Sequence, residues 1–226
     1  MDFNHNFCES RLNNNNPPEL FNAWSSLIIS IIPLLFKRKI KSRSLMNIKL
    51  LFIFNGLASF IYHYTLSWFG KHLDEISMIL SNYYGICFLL KFINNRDQVD
   101  SNNQRELINM LVITNLYLTI LFMCVNTIPF LDFLFPNIFG FFLIPTLYLT
   151  YQITIIYKLN RYKIIQYLLF SFWGAICWII SENFCNEYTK YGHILWHILF
   201  PLGFYLLVLY LDFEYNRIFH PDTLYR

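Results

Sequence analysis

His63, His193 and His197 each fall inside a long apolar run of this chain, with Ser59 and Asp74 close to the first of them. Ionisable side chains are costly in a bilayer, so each one placed there marks a functional site by default. Ser59 and His63 are one helical turn apart, and His193 and His197 are spaced i and i+4, so each pair shares a helix face. Three imidazoles around one point would hold zinc and leave a fourth tetrahedral position for water, as in catalytic rather than closed structural sites. Such a metal acidifies the water and polarises a carbonyl. Asp74 would take the water's proton and return it to a leaving group, and Ser59 would donate a hydrogen bond to a developing oxyanion. Each residue also has a plainer use. A histidine can serve as interhelical glue, Asp74 as the N-cap of a helix, and Ser59 as a small packing residue. Five such residues at one depth favour shared chemistry over five separate uses.

The elements that must position them are membrane helices. The chain is 226 residues long, 56% hydrophobic, 20% aromatic and only 14% charged, well below the quarter or so of charged residues usual in soluble domains. No repeat is visible, and the asparagine run at 13–16 reads as a short solvated loop. An all-α, polytopic fold follows, with seven apolar runs at about 21–36, 46–66, 75–93, 107–127, 138–157, 164–182 and 192–211, each suited to a hydrocarbon core of about 30 Å. They are read as one domain over 1–226, with 1–20 an outer segment and 212–226 a cytoplasmic tail.

Short cytoplasmic loops retain Lys and Arg. The basic residues cluster after helix one (Lys37, Arg38, Lys39, Lys41, Arg43, Lys49), around the loop after helix three (Lys91, Arg96, Arg105), after helix five (Lys158, Arg161, Lys163) and in the tail (Arg217, Arg226). Only Arg11, Lys71 and Lys190 of the 17 fall on the other side. The amino terminus is therefore expected outside, in a periplasm or secretory lumen, and the carboxyl terminus in the cytoplasm. This suits a bacterial inner membrane or an ER or Golgi membrane. On that topology all five candidate side chains fall within about 10 Å of the outer boundary, at 1.5 Å of rise per residue.

The other polar and aromatic residues read as background. His5, His72 and His220 are expected to be solvated, and the five tryptophans to be interfacial anchors and packing. No CxxC pair exists, and Cys87, Cys124 and Cys177 fall in apolar segments as small buried hydrophobes, whereas Cys8 and Cys185 fall in loops. The polar first twenty residues lack a signal-peptide pattern, so the first apolar helix is expected to direct insertion.

The run SFIYHYTLSWFGKHLDEISM, Ser59 to Met78, resembles the alkaline ceramidases, which carry a serine four before a histidine and an LDE-x-x-M box after it. GHILWH, Gly192 to His197, is similar to their final-helix motif, and FCE at 7–9 with Glu19 and Asn22 to their opening signature. The resemblance spans almost the whole chain. It implies a seven-helix zinc amidase that cleaves ceramide to sphingosine and a fatty acid, with His63, His193 and His197 on zinc, Asp74 activating water and Ser59 assisting the oxyanion. It also implies a Cys8–Cys185 disulfide that pins the amino-terminal segment over the site. A calcium ion would be held through Glu9 and Glu19, although Asn6 stands for the family's aspartate and Arg11 for its asparagine. A fixed cation at Arg11 could replace that ion. Where the family has an aspartate before Cys185, this chain offers Ser181 or, displaced by one, Glu182. The implied partner is a ceramide-like membrane lipid and not a nucleic acid. The alternatives are a receptor or channel with structural zinc, or an acyl hydrolase of phospholipids or glycosylphosphatidylinositol lipids. Adiponectin-type receptors insert the opposite way, which the basic residues argue against.

Overall fold

The computed structural model of the protein describes residues 7–14, 16–36, 40–95, 102–128, 131 and 134–221. Among the described residues there are eight α-helices and no strand: α1 Cys8–Leu12, α2 Leu20–Leu35, α3 Arg43–Thr65, α4 Trp68–Asn94, α5 Asn102–Asn126, α6 Phe135–Ile156, α7 Arg161–Asn183 and α8 Gly192–Phe219. By length and composition α3, α4, α6, α7 and the stretch Thr189–Phe219 can each cross a membrane, which makes this an integral membrane protein. Two shorter apolar helices are Leu20–Leu35 and Asn109–Val125.

Two helix ends differ most from the sequence reading. α4 begins at Trp68 and not near 75, because Ser67 caps it: the Ser67 Oγ accepts the Gly70 N–H at 3.2 Å. Asp74 consequently lies in the second turn and is not an N-cap. His72, expected to be solvated, is buried against the Trp68 ring at a centroid distance of 3.9 Å. At the other end α8 continues past 211 to Phe219, through residues that were expected to form the tail. Asp212, Glu214 and Asn216 are buried there. Asp212 accepts the backbone N–H groups of Lys41 and Ser42 just before α3, Arg217 pairs with Glu214, and Asn216 donates to the Asp212 carbonyl. His220 is exposed as expected, while His5 and Asn6 lie outside the described residues. Cys87 and Cys177 are half-buried and Cys124 is exposed, not the buried hydrophobes expected. An outward face of an apolar helix costs a thiol little when the surroundings are lipid.

The helices group into two compact units, with α3, α4 and α8 contributing to both. One unit holds 7–36, 49–77 and 162–209, and all the candidate residues of the site. Its interior is polar to an unusual degree, with Asn22, Ser25, Ser26, Ser30, Asn55, Ser59, Ser77, Ser171 and Ser181 all buried. The other unit holds 40–48, 78–161 and 210–221. Its centre is apolar: Ile79, Ile86 and Leu90 share one face of α4 and pack with Ile138 and Phe142 of α6. Beside them Phe92 contacts Phe88, Tyr157, Tyr215 and Phe219, ring to ring.

Candidate active site

Each functional side chain is set by helix periodicity. Asn55, Ser59 and His63 recur every fourth residue on α3, so one face presents an amide, a hydroxyl and an imidazole in succession. His193 and His197 repeat that spacing in the first turns of α8, where Pro201 withholds the helical hydrogen bond that residue 201 would give to the His197 carbonyl. Glu19 just before α2 and the buried positions 22, 25, 26 and 30 on it form a polar stripe in an otherwise apolar helix.

These faces converge. His63, His193 and His197 are buried, and one nitrogen from each lies within 4.8 Å of the others. The ring centroids are 5.1, 5.3 and 4.7 Å apart. Three imidazole nitrogens that close together can share one ion, so the donor set fits a single metal ion. Asp74 is held beside it: Asn55 Nδ2 donates to Asp74 Oδ1 at 2.6 Å and Ser59 hydrogen-bonds the same carboxylate. Ser59 Oγ also lies 3.1 Å from Ser26 Oγ.

A further layer surrounds the histidines. Glu19 Oε2 lies 2.5 Å from His63 Nδ1, and Ser25 Oγ lies 2.8 Å from His197 Nδ1. Glu182 Oε1 is 3.4 Å from His193 Nδ1, which makes no hydrogen bond. Burial would raise the carboxyl pKa of Glu19, but the bonds from His63 and Ser10 outweigh it and hold it at about 2.

The amino-terminal segment closes over this layer. Cys8 is joined to Cys185 by a disulfide. The Phe7 ring lies 5.4 Å from His63 and 4.7 Å from His193. Glu182 Oε2 accepts the Cys8 N–H at 3.0 Å, and Arg11 donates to the Glu182 carbonyl at 2.7 Å.

A sequence model of the Ceramidase family matches residues 3–222. The chain belongs to the ceramidase family. It is a ceramidase-type hydrolase of carbon–nitrogen (amide) bonds. It is similar to Alkaline ceramidase 1 of Mus musculus, 26% identical over 96% of this chain and 81% of the relative. It is also similar to Alkaline ceramidase 1 of Homo sapiens, 26% identical over 75% of this chain and 65% of the relative.

The calcium implied for this ceramidase does not fit the residues present. Calcium takes six to eight oxygen ligands, but both carboxylate oxygens of Glu9 accept backbone N–H groups, from Phe21 and Asn22 at 2.9 Å each. Glu9 thus caps α2, a role that Glu19 at the N-cap position does not fill. The Glu19 oxygens are likewise engaged, by Ser10 and by Asn22 with His63. A guanidinium, Arg11, stands in the same segment and pairs with Glu182 at 3.4 Å.

Sequence reasoning missed Ser25, Ser26, Asn55 and Ser77, and gave Glu182 only as a displaced substitute. Ser77 accepts from Asn55 at 2.8 Å and so belongs to the group that orients Asp74. The three-to-four-residue spacing of polar residues through α2 was the signal available for the two serines.

Proposed function

We propose that this chain is a zinc-dependent intramembrane amidase that hydrolyses the N-acyl amide of a ceramide-like lipid to a sphingoid base and a fatty acid. The observation that carries this is the convergence of three buried imidazoles beside the hydrogen-bonded Asp74 carboxylate and Ser59 hydroxyl in a ceramidase-family chain. The names of the two curated relatives supply the substrate class. Seven spans with the amino terminus outside complete the reading, supported by the distribution of Lys and Arg.

His63, His193 and His197 would hold the zinc. When bound, zinc supplies Lewis acidity that polarises the amide carbonyl and acidifies a water molecule. Asp74, oriented by Asn55, takes a proton from the attacking water as its oxygen adds to the carbonyl carbon. The same carboxyl then returns that proton to the amide nitrogen as the C–N bond breaks, so one group serves as base and then acid. Ser59, within hydrogen-bond reach of Asp74, donates to the oxygen on which negative charge develops. The phenyl ring of Phe7 covers two of the imidazoles and limits bulk water there. Apolar helix faces accommodate the two lipid chains.

The test is purified protein incubated with a panel of ceramides, phospholipids and glycosylphosphatidylinositol lipids. Release of fatty acid from ceramides alone, abolished by a zinc chelator and restored by zinc, is the expected result. Cleavage of phospholipid esters in preference to ceramide would overturn the substrate, and chelator-resistant turnover would overturn the metal. For orientation, a cysteine introduced at Ser44 should react in intact cells only with membrane-permeant thiol reagents.

A further inference from the structure

Two carboxylates, Glu19 and Glu182, approach the Nδ1 atoms of two different members of the histidine cluster, and neither reaches the third. His63 Nδ1 meets Glu19 at 2.5 Å in a fully buried contact, and His193 Nδ1 meets Glu182 at 3.4 Å. The third, His197, meets a neutral hydroxyl: Ser25 spends its own proton on the Asn22 carbonyl at 3.1 Å, so its oxygen accepts from His197 Nδ1. A partner on Nδ1 fixes the tautomer and leaves Nε2 free to face a metal.

We propose that Glu19 is a positioning residue of the metal site that holds His63 by its Nδ1, that Glu182 stands poised for the same role beside the unbonded His193 Nδ1, and that neither serves a calcium ion. The proposal rests on the zinc reading given above. Glu19 is locked from behind, since its second oxygen accepts from Ser10 on α1 and its backbone N–H donates to the His63 carbonyl at 2.9 Å. It therefore grips both the ring and the backbone of one residue. Glu182 is held less tightly and divides its carboxylate between His193 on one oxygen and the Cys8 N–H and Arg11 on the other. The positive charge beside it is thus carried by Arg11, so this side of the site already has its cation. The two carboxylates should differ in strength accordingly, Glu19 above Glu182.

Full-length protein in detergent is loaded with zinc, and zinc affinity is measured by competition with a chromophoric chelator, alongside thermal melting of the zinc-free form. Wild type must first bind one zinc; if it binds none, the zinc reading itself fails. Given zinc in the wild type, Glu19→Gln is expected to weaken affinity about 10–100-fold in the folded fraction, the usual range for such outer partners, while melting of the zinc-free form reports separately the loss of its buried Ser10 and Asn22 contacts. Glu182→Gln should weaken it less. Cobalt in place of zinc should show an altered visible spectrum in Glu19→Gln, which a merely structural role would not produce. Unchanged zinc affinity in Glu19→Gln overturns the proposal. So does millimolar calcium that raises the melting temperature of wild type but not of Glu19→Gln, since Glu19 would then be an ion ligand. If Glu19→Gln does not fold, Glu19→Asp keeps the charge but withdraws it from the ring. The same weakening is expected, and unchanged affinity is again contrary.

Discussion

The two units are built by opposite means. In the unit that carries the histidines, backbones approach so closely that no side chain fits between them. A Cβ on Gly56 would lie 2.5 Å from the Ser30 nitrogen and 2.8 Å from the Ser26 carbonyl oxygen, and one on Gly203 would lie 2.7 Å from the Ser171 nitrogen. The other unit has room at both of its glycines: a Cβ on Gly85 would first meet Ile48 at 3.9 Å, and one on Gly140 nothing within 4 Å. There, bulky aliphatic and aromatic side chains fill the space between helices. Close approach through small residues is how membrane helices bring polar side chains within bonding range of one another. The unit that holds the candidate site needs that proximity to satisfy Asn55, Ser59 and the histidines, whereas the apolar unit needs only volume. Buried carboxylates occur in both, but Asp212 holds the backbone N–H groups of the two residues leading into α3 whereas Glu19 grips a histidine.

The contrast breaks most completely at the metal. His63→Ala/His197→Ala should lose bound zinc and all activity, and full zinc in that double variant by elemental analysis would remove the site assignment. Asp74→Asn should retain zinc and lose turnover by about 100-fold or more, the scale of general acid–base catalysis. Parallel metal analysis and single-turnover assays would show it. In the apolar unit the effects should separate the other way. Phe142→Ala should lower stability by about 3 kcal/mol through the cavity it leaves, with zinc per folded molecule unaltered; loss of zinc in the folded fraction would show that the two units are not independent in this respect. The smallest effects should differ in sign. Gly203→Ala should destabilise by about 1–3 kcal/mol through overpacking. Gly140→Ala, in open space within a helix, should stabilise by about 0.5–1 kcal/mol. Melting of the two variants side by side tests this, and equal shifts would dissolve the contrast.

Much of the candidate site is legible in the sequence. A histidine, serine or aspartate in an apolar helix is conspicuous because lipid penalises it, and i, i+4 spacing puts pairs on one face whatever surrounds them. Positions 59, 63, 193 and 197 were therefore readable, as were the helices themselves, whose apolar length is a local property. Helix ends depended on single hydrogen bonds: Ser67 started α4 early and so moved Asp74 from a cap to the second turn and carried His72 inward. Partnership across the chain was not legible at all. Glu9 could be read as an ion ligand, but whether its oxygens face a cation or the N–H groups of α2 depends on where the segment lies. Glu19 and His63 are separated by 44 residues, and Glu182 and Cys8 by 174. Composition and periodicity fixed which residues share a helix face, since that follows from 3.6 residues per turn. Which faces meet, and therefore which acid holds which imidazole, follows from packing between distant segments, and only the tertiary structure decided it.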